Sequence, residues 1–471
     1  MKIDRTVDVA IIGAGTAGLY ALREVRRARK SFVLIDHGPL GTTCARVGCM
    51  PSKVALHEGH MWSSRFDLSH IGVRGIDAMT IDTQQAWAAM RVKRDGFAGH
   101  TAERAIHAAG DALIEGRARF LEPTVLEVDS PKGRIIIKAN AVVIATGSKP
   151  VMPRWLDAVR DRVVTTDELF EMPDLPQSMG IIGLGAIGVE MGLALSRLGV
   201  EVIGAGIGQS IAAISDPAIN ERAIARFGKE MTMWLGAPVS VEKTSDGVLM
   251  RSGEKQEKVE RLLISIGRTP NVASLNLVSA GFPLDANGSP IFDKATMQIG
   301  DLPVFVAGDA NGDRLLMHEA ADEGVIAGVN AARGESLRFQ RKIPFGIVFS
   351  DPDVANIGAR FDELNSEDIV VGSVEGEANA RSRVIDETES LIRIYADAKS
   401  GRLLGASMIV PRGEHIAHLL AWSIQRGETA ESLMQMPFYH PVVEEMLPLA
   451  LQDIVRKVPR AGGVPAGFIL E

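Results

Sequence analysis

At the start of the chain, short apolar runs are separated by a glycine-rich turn and a longer amphipathic stretch. An apolar run over 7–12 is followed by a glycine-rich turn at 13–18, an amphipathic stretch over 19–28 and a second apolar run over 32–35. Short apolar runs bounded by turn residues indicate buried strands, and a longer amphipathic stretch indicates a helix. The pattern therefore predicts a strand–turn–helix–strand unit.

The same order of blocks returns in the middle of the chain. An apolar run over 179–182 precedes a glycine-rich turn at 183–188, an apolar helical stretch over 189–198 and a run over 201–203. Two such units in one chain predict two Rossmann-like α/β domains that bind nucleotides.

Two further runs and a change of pattern complete the chain. The runs at 141–147 and 304–309 are typical of strands that end against a ligand. Beyond about residue 340, strand-like segments come before a helical stretch, which predicts an α+β domain of a different type. The predicted strands are 346–349, 391–395 and 403–410, and the predicted helix is 414–426.

Length and charge exclude several classes of protein. The chain has 471 residues, too many for one core, so about two to four domains are expected. The net charge is −8 and no run is rich in Lys or Arg, so we predict no nucleic-acid partner. No apolar run approaches bilayer length, and residues 1–8 lack the apolar core of a signal peptide. We predict no membrane association and a cytoplasmic location.

The first glycine turn has the residues that a dinucleotide requires. Gly13 permits a tight turn, Gly15 allows the backbone to approach a pyrophosphate, and Gly18 allows close packing of helix on strand. The free N–H groups of the helix start then face the phosphates. Asp36 ends the second strand, where a carboxylate can bind ribose hydroxyls. A glycine turn alone is weak evidence, but this context favours a nucleotide site.

The second glycine turn repeats the fingerprint without its acid. Gly183, Gly185 and Gly188 are followed by Glu190, but Gly206 stands at the spacing at which Asp36 follows Gly18. NAD sites usually carry an acid here, and NADP sites a nearby arginine. The alternative is a degenerate nucleotide fold retained for packing.

The two cysteines of the chain, Cys44 and Cys49, lie five positions apart. About one helical turn separates the sulfurs, so a disulfide at the start of a helix is sterically plausible. A helix N-terminus lowers the pKa of a thiol and makes the reduced pair reactive. Zinc would need more ligands than the neighbouring histidines offer, so no metal site is predicted. The alternative is two buried small residues or an incidental disulfide.

The order of these motifs resembles that of the pyridine nucleotide-disulfide oxidoreductases, within the class I flavoproteins. The dihydrolipoamide dehydrogenase branch is the most similar, and the resemblance covers nearly the whole chain. Its landmarks are the turn at 13–18, the segment 44–53, Ala145-Thr146-Gly147, the turn at 183–188 with Glu190, the segments 266–271 and 307–309, and His440-Pro441.

The resemblance implies a domain organisation. An FAD-binding domain with the redox disulfide would span 1–148, and an NAD(P)-binding domain 149–270. Residues 271–340 would complete the FAD domain, and 341–471 would form an interface domain. The implied fold is α/β, with two Rossmann-like nucleotide-binding domains and a C-terminal α+β dimerisation domain.

The resemblance also implies residue roles. FAD would occupy the first fingerprint, and NAD, with NADP not excluded, the second. Cys49 would contact the flavin and Cys44 would exchange with the substrate, while Lys53 would pair with Glu190 near the flavin. The remaining implied cofactor-binding residues are Thr146, Gly147, Gly267, Gly308 and Asp309.

His440 is the implied general base. Helical spacing would favour Glu444 as the carboxylate that orients its ring, whereas the family pattern favours Glu445, which we adopt. In relatives this histidine comes from the other subunit, so the resemblance implies a homodimer.

The sequence departs from the family at Gly206, at Arg46 and at Tyr439. Arg46 could face an acidic substrate or, in the favoured interpretation, form a salt bridge within the fold. We predict electron transfer between a dihydrolipoyl dithiol and NAD(P)⁺. The alternatives are a glutathione-type disulfide reductase and a non-catalytic redox-sensing flavoprotein. Mercuric reductase and transhydrogenase activities are disfavoured.

Overall fold

The computed structural model describes residues 2–459 and 464–470. In chain order its strands are β1 (Arg5–Ile12), β2 (Phe32–Asp36), β3 (Leu113–Glu115), β4 (Arg117–Glu122), β5 (Val125–Ser130), β6 (Gly133–Ile144), β7 (Ser148–Pro150), β8 (Val163–Val164), β9 (Ser178–Ile182), β10 (Glu201–Gly206), β11 (Thr232–Leu235), β12 (Val239–Lys243), β13 (Val248–Ser252), β14 (Lys255–Val259), β15 (Arg261–Ile264), β16 (Arg268–Pro270), β17 (Val304–Val306), β18 (Phe345–Val348), β19 (Asp353–Gly358), β20 (Ile369–Glu375), β21 (Leu391–Asp397) and β22 (Leu403–Val410).

The α-helices are α1 (Thr16–Arg27), α2 (Thr43–Val47), α3 (Cys49–Ser63), α4 (Thr83–Ala109), α5 (Thr166–Leu169), α6 (Ala186–Arg197), α7 (Pro217–Phe227), α8 (Met317–Arg333), α9 (Ala380–Val384), α10 (Gly413–Arg426), α11 (Ala430–Met434) and α12 (Met446–Lys457). None of the helices described combines the length and the apolar character needed to cross a bilayer.

The first sheet holds seven strands in the order β3-β2-β1-β6-β5-β4, with β17 paired to β6. Strands β1, β2, β3, β6 and β17 run parallel, whereas β4 and β5 form an antiparallel extension. Helices α1 and α8 pack closely on one face, since a Cβ added at Gly324 or Gly328 of α8 would lie 2.3 or 2.6 Å from the carbonyl oxygen of Ala17 or Ala21 in α1. The glycine turn after β1 and the end of β17 therefore meet at the carboxyl edge of one sheet.

The second sheet is parallel, with the order β11-β10-β9-β15-β8. Helix α6 is buried along most of its length and packs against α3 of the first unit. A Cβ added at Gly59 of α3 would lie only 3.0 Å from the carbonyl oxygen of Ala194 in α6, so the two helices approach closely. This contact places α3, which begins at Cys49, beside α6, which follows the second glycine turn.

The C-terminal unit is a five-stranded antiparallel sheet, β18-β19-β22-β21-β20, covered by α10 and α12. Asp216, which caps α7 of the second unit, is fully buried. It accepts hydrogen bonds from Arg393 (2.7 Å) and Tyr395 (2.8 Å) of β21. A buried carboxylate with two such donors ties the second unit firmly to the C-terminal sheet.

The predicted fold class is confirmed: two Rossmann-like parallel sheets precede a C-terminal α+β unit. The sequence pattern missed the antiparallel sheet β12-β13-β14, which is inserted between β11 and β15 of the second sheet. Its exposed edge strand, Lys255–Val259, is almost entirely polar, so it carries little apolar signal.

Candidate active site

One cavity of about 1220 Å³ lies between the two parallel sheets, and both glycine turns and both cysteines line it. The predicted site residues on its wall are Gly15, Cys44, Cys49, Lys53, Gly147, Gly183, Gly185, Glu190, Gly267, Gly308 and Asp309. Three other fingerprint glycines, Gly13, Gly18 and Gly188, lie behind this wall. The topology thus gathers residues that are up to 294 positions apart in the chain, from Gly15 to Asp309.

In the first glycine turn, two glycines are packed against neighbouring backbone and one faces open space. Gly13 has φ +107°, and a Cβ added there would lie 2.2 Å from the carbonyl oxygen of Ala145. A Cβ added at Gly18 would lie 1.9 Å from the carbonyl oxygen of Gly13. At Gly15 an added Cβ would meet nothing within 4 Å. Gly15 therefore leaves space at the start of α1, where free N–H groups attract an anion.

Asp36 ends β2 beside this turn. Its Oδ2 accepts a hydrogen bond from the N–H of Ala14 (2.6 Å), and its Oδ1 accepts one from the N–H of Gly38 (2.6 Å). The carboxylate therefore shapes the turn itself, and each oxygen keeps a second lone pair for a ribose hydroxyl.

The ends of β6 and β17 lie beside this turn, on the same edge of the first sheet. The hydroxyl of Ser148 donates to Asp309 (2.6 Å) and accepts from Nε of Arg268 (2.7 Å). The N–H of Gly308 donates to Glu323, which is fully buried on α8 (2.7 Å). Burial raises the pKa of Glu323. These bonds fix the loop that presents Asp309 to the cavity.

The residues present fit FAD at this end of the cavity. The hydroxyl of Thr146 is buried without a partner in the described part of the chain, so it can bond a polar group of a ligand. Gly15 leaves the space that a pyrophosphate needs, and Gly147 leaves open space beside Thr146. Together these residues can hold the phosphates and position a flavin near the cysteines.

The two cysteines lie on different helices, which corrects the expectation of a pair on one helix start. Cys44 belongs to α2, and the chain breaks at Gly48 before Cys49 begins α3. Gly48 breaks the helix because its φ and ψ, −132° and −115°, are not helical. The break points both side chains into the same cavity, where they are free thiols.

The two thiols differ in acidity. A hydrogen bond from Cys44 and the charge of Lys53 lower the pKa of Cys49 to about 7, against the effect of burial. The same hydrogen bond, together with burial, raises the pKa of Cys44. At neutral pH a thiolate is therefore stabilised on Cys49, and Cys44 stays protonated as its donor.

Lys53 and Glu190 form an ion pair across the two units. Nζ of Lys53 lies 2.9 and 2.8 Å from the carboxylate oxygens of Glu190, whose side chain is 7% exposed. Phe349, just after β18, donates its N–H to Glu190 (3.1 Å), and its ring centroid lies 4.8 Å from Nζ. The C-terminal unit thus supports the lysine that faces the cysteines.

The second glycine turn has the geometry of the first. Gly183 has φ +102°, and a Cβ added at Gly188 would lie 1.9 Å from the carbonyl oxygen of Gly183. Gly185 faces open space. This similarity supports a second nucleotide site over the degenerate-fold interpretation. Gly206 ends β10 on the cavity wall and brings no carboxylate.

His440 and Glu445 lie together but away from this cavity. Nδ1 of His440 is 3.0 and 3.1 Å from the carboxylate oxygens of Glu445, as the family pattern and not helical spacing predicts. The bond with His440 lowers the pKa of Glu445. The histidine side chain is 71% exposed. A separate groove of about 640 Å³ adjoins this pair, lined by Trp422, Met436, Phe438 and Tyr439 among others.

Three contact residues were not predicted from the sequence. Ser148 directly follows the Ala-Thr-Gly motif, so its position gave a usable signal. Glu323 lies 15 positions along the chain from its partner Gly308, and Phe349 lies 159 positions from its partner Glu190. No local sequence pattern indicates either contact. The salt-bridge interpretation of Arg46 stays a prediction: burial raises the pKa of Asp167 on α5, and the charges of Arg268 and Arg46 oppose that effect, but no direct ion pair of Arg46 is present in the described chain.

Family models match nearly the whole chain. The pyridine nucleotide-disulphide oxidoreductase model matches residues 7–324, and the dimerisation domain of the same family matches 344–451. A dihydrolipoyl dehydrogenase of Bacillus subtilis is 27% identical, covering 95% of this chain and 98% of the relative. A mitochondrial dihydrolipoyl dehydrogenase of Arabidopsis thaliana is also 27% identical, covering 93% and 89%.

Solved structures share the fold. The HOCl-induced flavoprotein disulfide reductase RclA from Escherichia coli, solved as a Cu(II) complex, superposes with a TM-score of 0.82 at 23% identity, covering 96% of this chain and 99% of RclA. LpdA from Mycobacterium tuberculosis gives 0.83 at 21% identity, covering 95% and 99%.

The family confirms the predicted cofactors, FAD and a nicotinamide nucleotide, and its dimerisation domain supports a homodimer. With two glycine turns, a cysteine pair and a Lys–Glu pair around one cavity, the chain belongs to the pyridine nucleotide-disulphide oxidoreductase family and is an FAD-dependent enzyme of it.

Proposed function

We propose that this enzyme oxidises a dihydrolipoyl dithiol to the cyclic disulfide and reduces NAD(P)⁺, through FAD and the Cys44–Cys49 pair. The observation that carries the proposal is the common cavity of both cysteines and both nucleotide turns. The relatives named dihydrolipoyl dehydrogenase support the substrate class.

The cysteine geometry supports an order of bond exchange. A substrate thiolate attacks the sulfur of Cys44 in the oxidised pair, and Cys49 leaves as the thiolate that its low pKa favours. A base takes the proton of the second substrate thiol, and the resulting thiolate attacks the substrate sulfur of the mixed disulfide. The cyclic disulfide is released, and Cys44 leaves as a thiolate that takes the proton back from the base. Two electrons then reside on the cysteine pair. FAD, when bound, supplies the two-electron transfer between this pair and the nicotinamide.

We assign proton removal from the second thiol to His440 of a second copy of the chain. The exposed ring and its bond to Glu445 suit a base that acts on a neighbouring chain. The dimerisation domain, over 344–451, supports such an arrangement.

We also propose the domain division 1–148, 149–270, 271–340 and 341–471. The pairing of β17 with β6 supports the return of the segment 271–340 to the FAD domain. A cytoplasmic location also remains proposed.

The cavity supports an aliphatic substrate arm. Apolar side chains on its wall include Val47, Leu316, Met317 and Ile347. A lipoyl arm buries apolar surface there, whereas a charged tripeptide would need paired charges for its carboxylates.

The test compares disulfides under identical conditions. The purified holoenzyme is assayed with NADH or NADPH and either lipoamide or oxidised glutathione, and in the reverse direction with dihydrolipoamide and NAD⁺. The proposal expects turnover with lipoamide and dihydrolipoamide and little with glutathione. Preference for glutathione would assign a different disulfide reductase, and no turnover with any thiol would favour the redox-sensing alternative.

A further inference from the structure

We infer that the ribose end of the second nucleotide site does not discriminate between NADH and NADPH, because Gly206 removes the group that would select one of them. This inference rests on the proposed docking of a nicotinamide nucleotide at the second glycine turn.

The same backbone hydrogen bond occurs in both nucleotide units and identifies equivalent positions at the ends of β2 and β10. In the first unit the N–H of Gly13 donates to the carbonyl of Ile35 (2.8 Å), one residue before Asp36. In the second unit the N–H of Gly183 donates to the carbonyl of Ala205 (2.8 Å), one residue before Gly206. Gly206 is therefore the structural counterpart of Asp36, and the second unit has no carboxylate where the first has one.

The surrounding wall does not replace the missing charge. Among the described residues, those that line the cavity around this strand end carry no charge: Gly206, Ile207, Gly208, Ser210, Ala213, Pro238 and Val239. A guanidinium does lie at the margin, since Arg360 donates to the carbonyl of Ala213 (3.5 Å). Its Nε and Nη2 are bound to Asp362 at 3.0 and 2.9 Å, so its charge is already paired.

Charge is what separates the two coenzymes. A carboxylate accepts the ribose hydroxyls of NADH and repels the 2′-phosphate of NADPH, whereas an unpaired arginine binds that phosphate. With neither group in place, the two coenzymes differ at this end only by a solvated phosphate. We expect the ratio of kcat/KM for NADH and NADPH to lie within about tenfold of one, since a single charge-assisted contact is typically worth roughly tenfold or more.

The test restores the acid. A Cβ at Gly206 would lie 3.5 Å from Cδ2 of Leu235 and 3.8 Å from the carbonyl oxygen of Gly208, which are ordinary contacts, so the backbone at this position accepts a side chain and Gly206→Glu is the variant of choice. We expect Gly206→Glu to raise the NADH preference by about tenfold or more, mainly through KM. Gly206→Gln, of the same size without the charge, is the matched control and should leave the ratio near that of the wild type.

Binding without turnover gives an independent readout. Calorimetry of the oxidised holoenzyme, with FAD in the first site, compares 5′-AMP with adenosine 2′,5′-bisphosphate. The wild type should bind both with similar Kd, and Gly206→Glu should weaken only the bisphosphate.

The outcomes separate this inference from the proposed function. A wild-type preference beyond about tenfold for either coenzyme, or a Gly206→Glu variant with an unchanged ratio, would overturn the inference alone. If neither coenzyme reduces the flavin and neither fragment binds, the inference and the nicotinamide half of the proposed function both fail, whatever the dithiol does.

Discussion

The ammonium of Lys53 lies 2.8 Å from a carboxylate oxygen of Glu190, a residue 137 positions later on the helix of the second fingerprint. The pair joins the helix that begins at Cys49 to the nucleotide unit, and it places a fixed positive charge beside the thiol pair. Because Glu190 is nearly fully buried, the lysine is held in one orientation, and its charge acts on the cysteines at a defined position.

Neutralising Lys53 should raise the pKa of Cys49. In the reduced wild type the thiolate should be lost as pH falls through about 7, because the hydrogen bond from Cys44 and the charge of Lys53 lower that pKa. Lys53→Met removes one of these two causes, so the thiolate should appear only at higher pH. Thiolate absorbance in the ultraviolet, recorded against pH, measures the change. Lys132→Met, at an exposed turn, should leave the curve unmoved, and an equal curve in Lys53→Met would refute the electrostatic role.

Replacing Cys44 should separate thiol exchange from cofactor binding. Cys44→Ser removes the sulfur that the substrate attacks, so dithiol turnover should fall below detection while FAD stays bound. The serine hydroxyl can still donate to Cys49, so the thiolate titration near pH 7 should persist. In Cys49→Ser that titration should vanish. Loss of FAD from Cys44→Ser, measured by flavin absorbance per protein, would contradict the assignment.

Removing the base should slow turnover without affecting thiol acidity. His440→Ala should reduce kcat with dihydrolipoamide by about 10²–10⁴-fold, the usual contribution of a positioned base. His100→Ala, exposed on α4, is the matched control and should keep the wild-type rate.

A hybrid dimer tests whether His440 acts on the other chain. Dimers that combine one Cys44→Ser chain with one His440→Ala chain should regain activity, because one of their two sites then has both residues intact. Hybrids no more active than the parent variants would place the base within its own chain.

Substitutions at two glycines of the first turn should have different effects, one on FAD binding and the other on folding. An added Cβ at Gly15 meets open space, so Gly15→Val should fold, as shown by circular dichroism, but bind less FAD. At Gly18 the same atom would lie 1.9 Å from a backbone oxygen that cannot move aside, so Gly18→Ala should fail to fold. A folded Gly18→Ala protein with full FAD content would show that the turn is more adaptable than this geometry allows.

The sequence predicts the parallel units well because their signals are local. A short apolar run, three glycines at fixed spacing and a helix lie within one stretch of chain. The first and third glycines are required by packing, and the second leaves space for a ligand. The pairing of His440 with Glu445 was also predicted, through the family pattern, although helical spacing pointed to Glu444.

Contacts between distant segments carry no such signal. Nothing near Phe349 indicates that it will lie over Lys53, because the contact exists only after the C-terminal sheet has packed against α6. The helix break at Gly48 was missed because one continuous helical turn also fits the spacing of Cys44 and Cys49. The backbone bonds of Asp36 carry no sequence signal either, because a carboxylate at a strand end can bond the turn beside it as well as a ribose hydroxyl.

Rapid reduction of the holoenzyme tests whether electrons pass through the Cys44–Cys49 pair. The yellow protein is mixed anaerobically with NADH or NADPH in a stopped-flow instrument, and lipoamide is then added. We expect fast flavin reduction, a long-wavelength band from the Cys49 thiolate beside oxidised flavin, and loss of that band when lipoamide takes the electrons. A flavin that is reduced without this band, or a band that lipoamide leaves unchanged, would contradict electron transfer through Cys44 and Cys49.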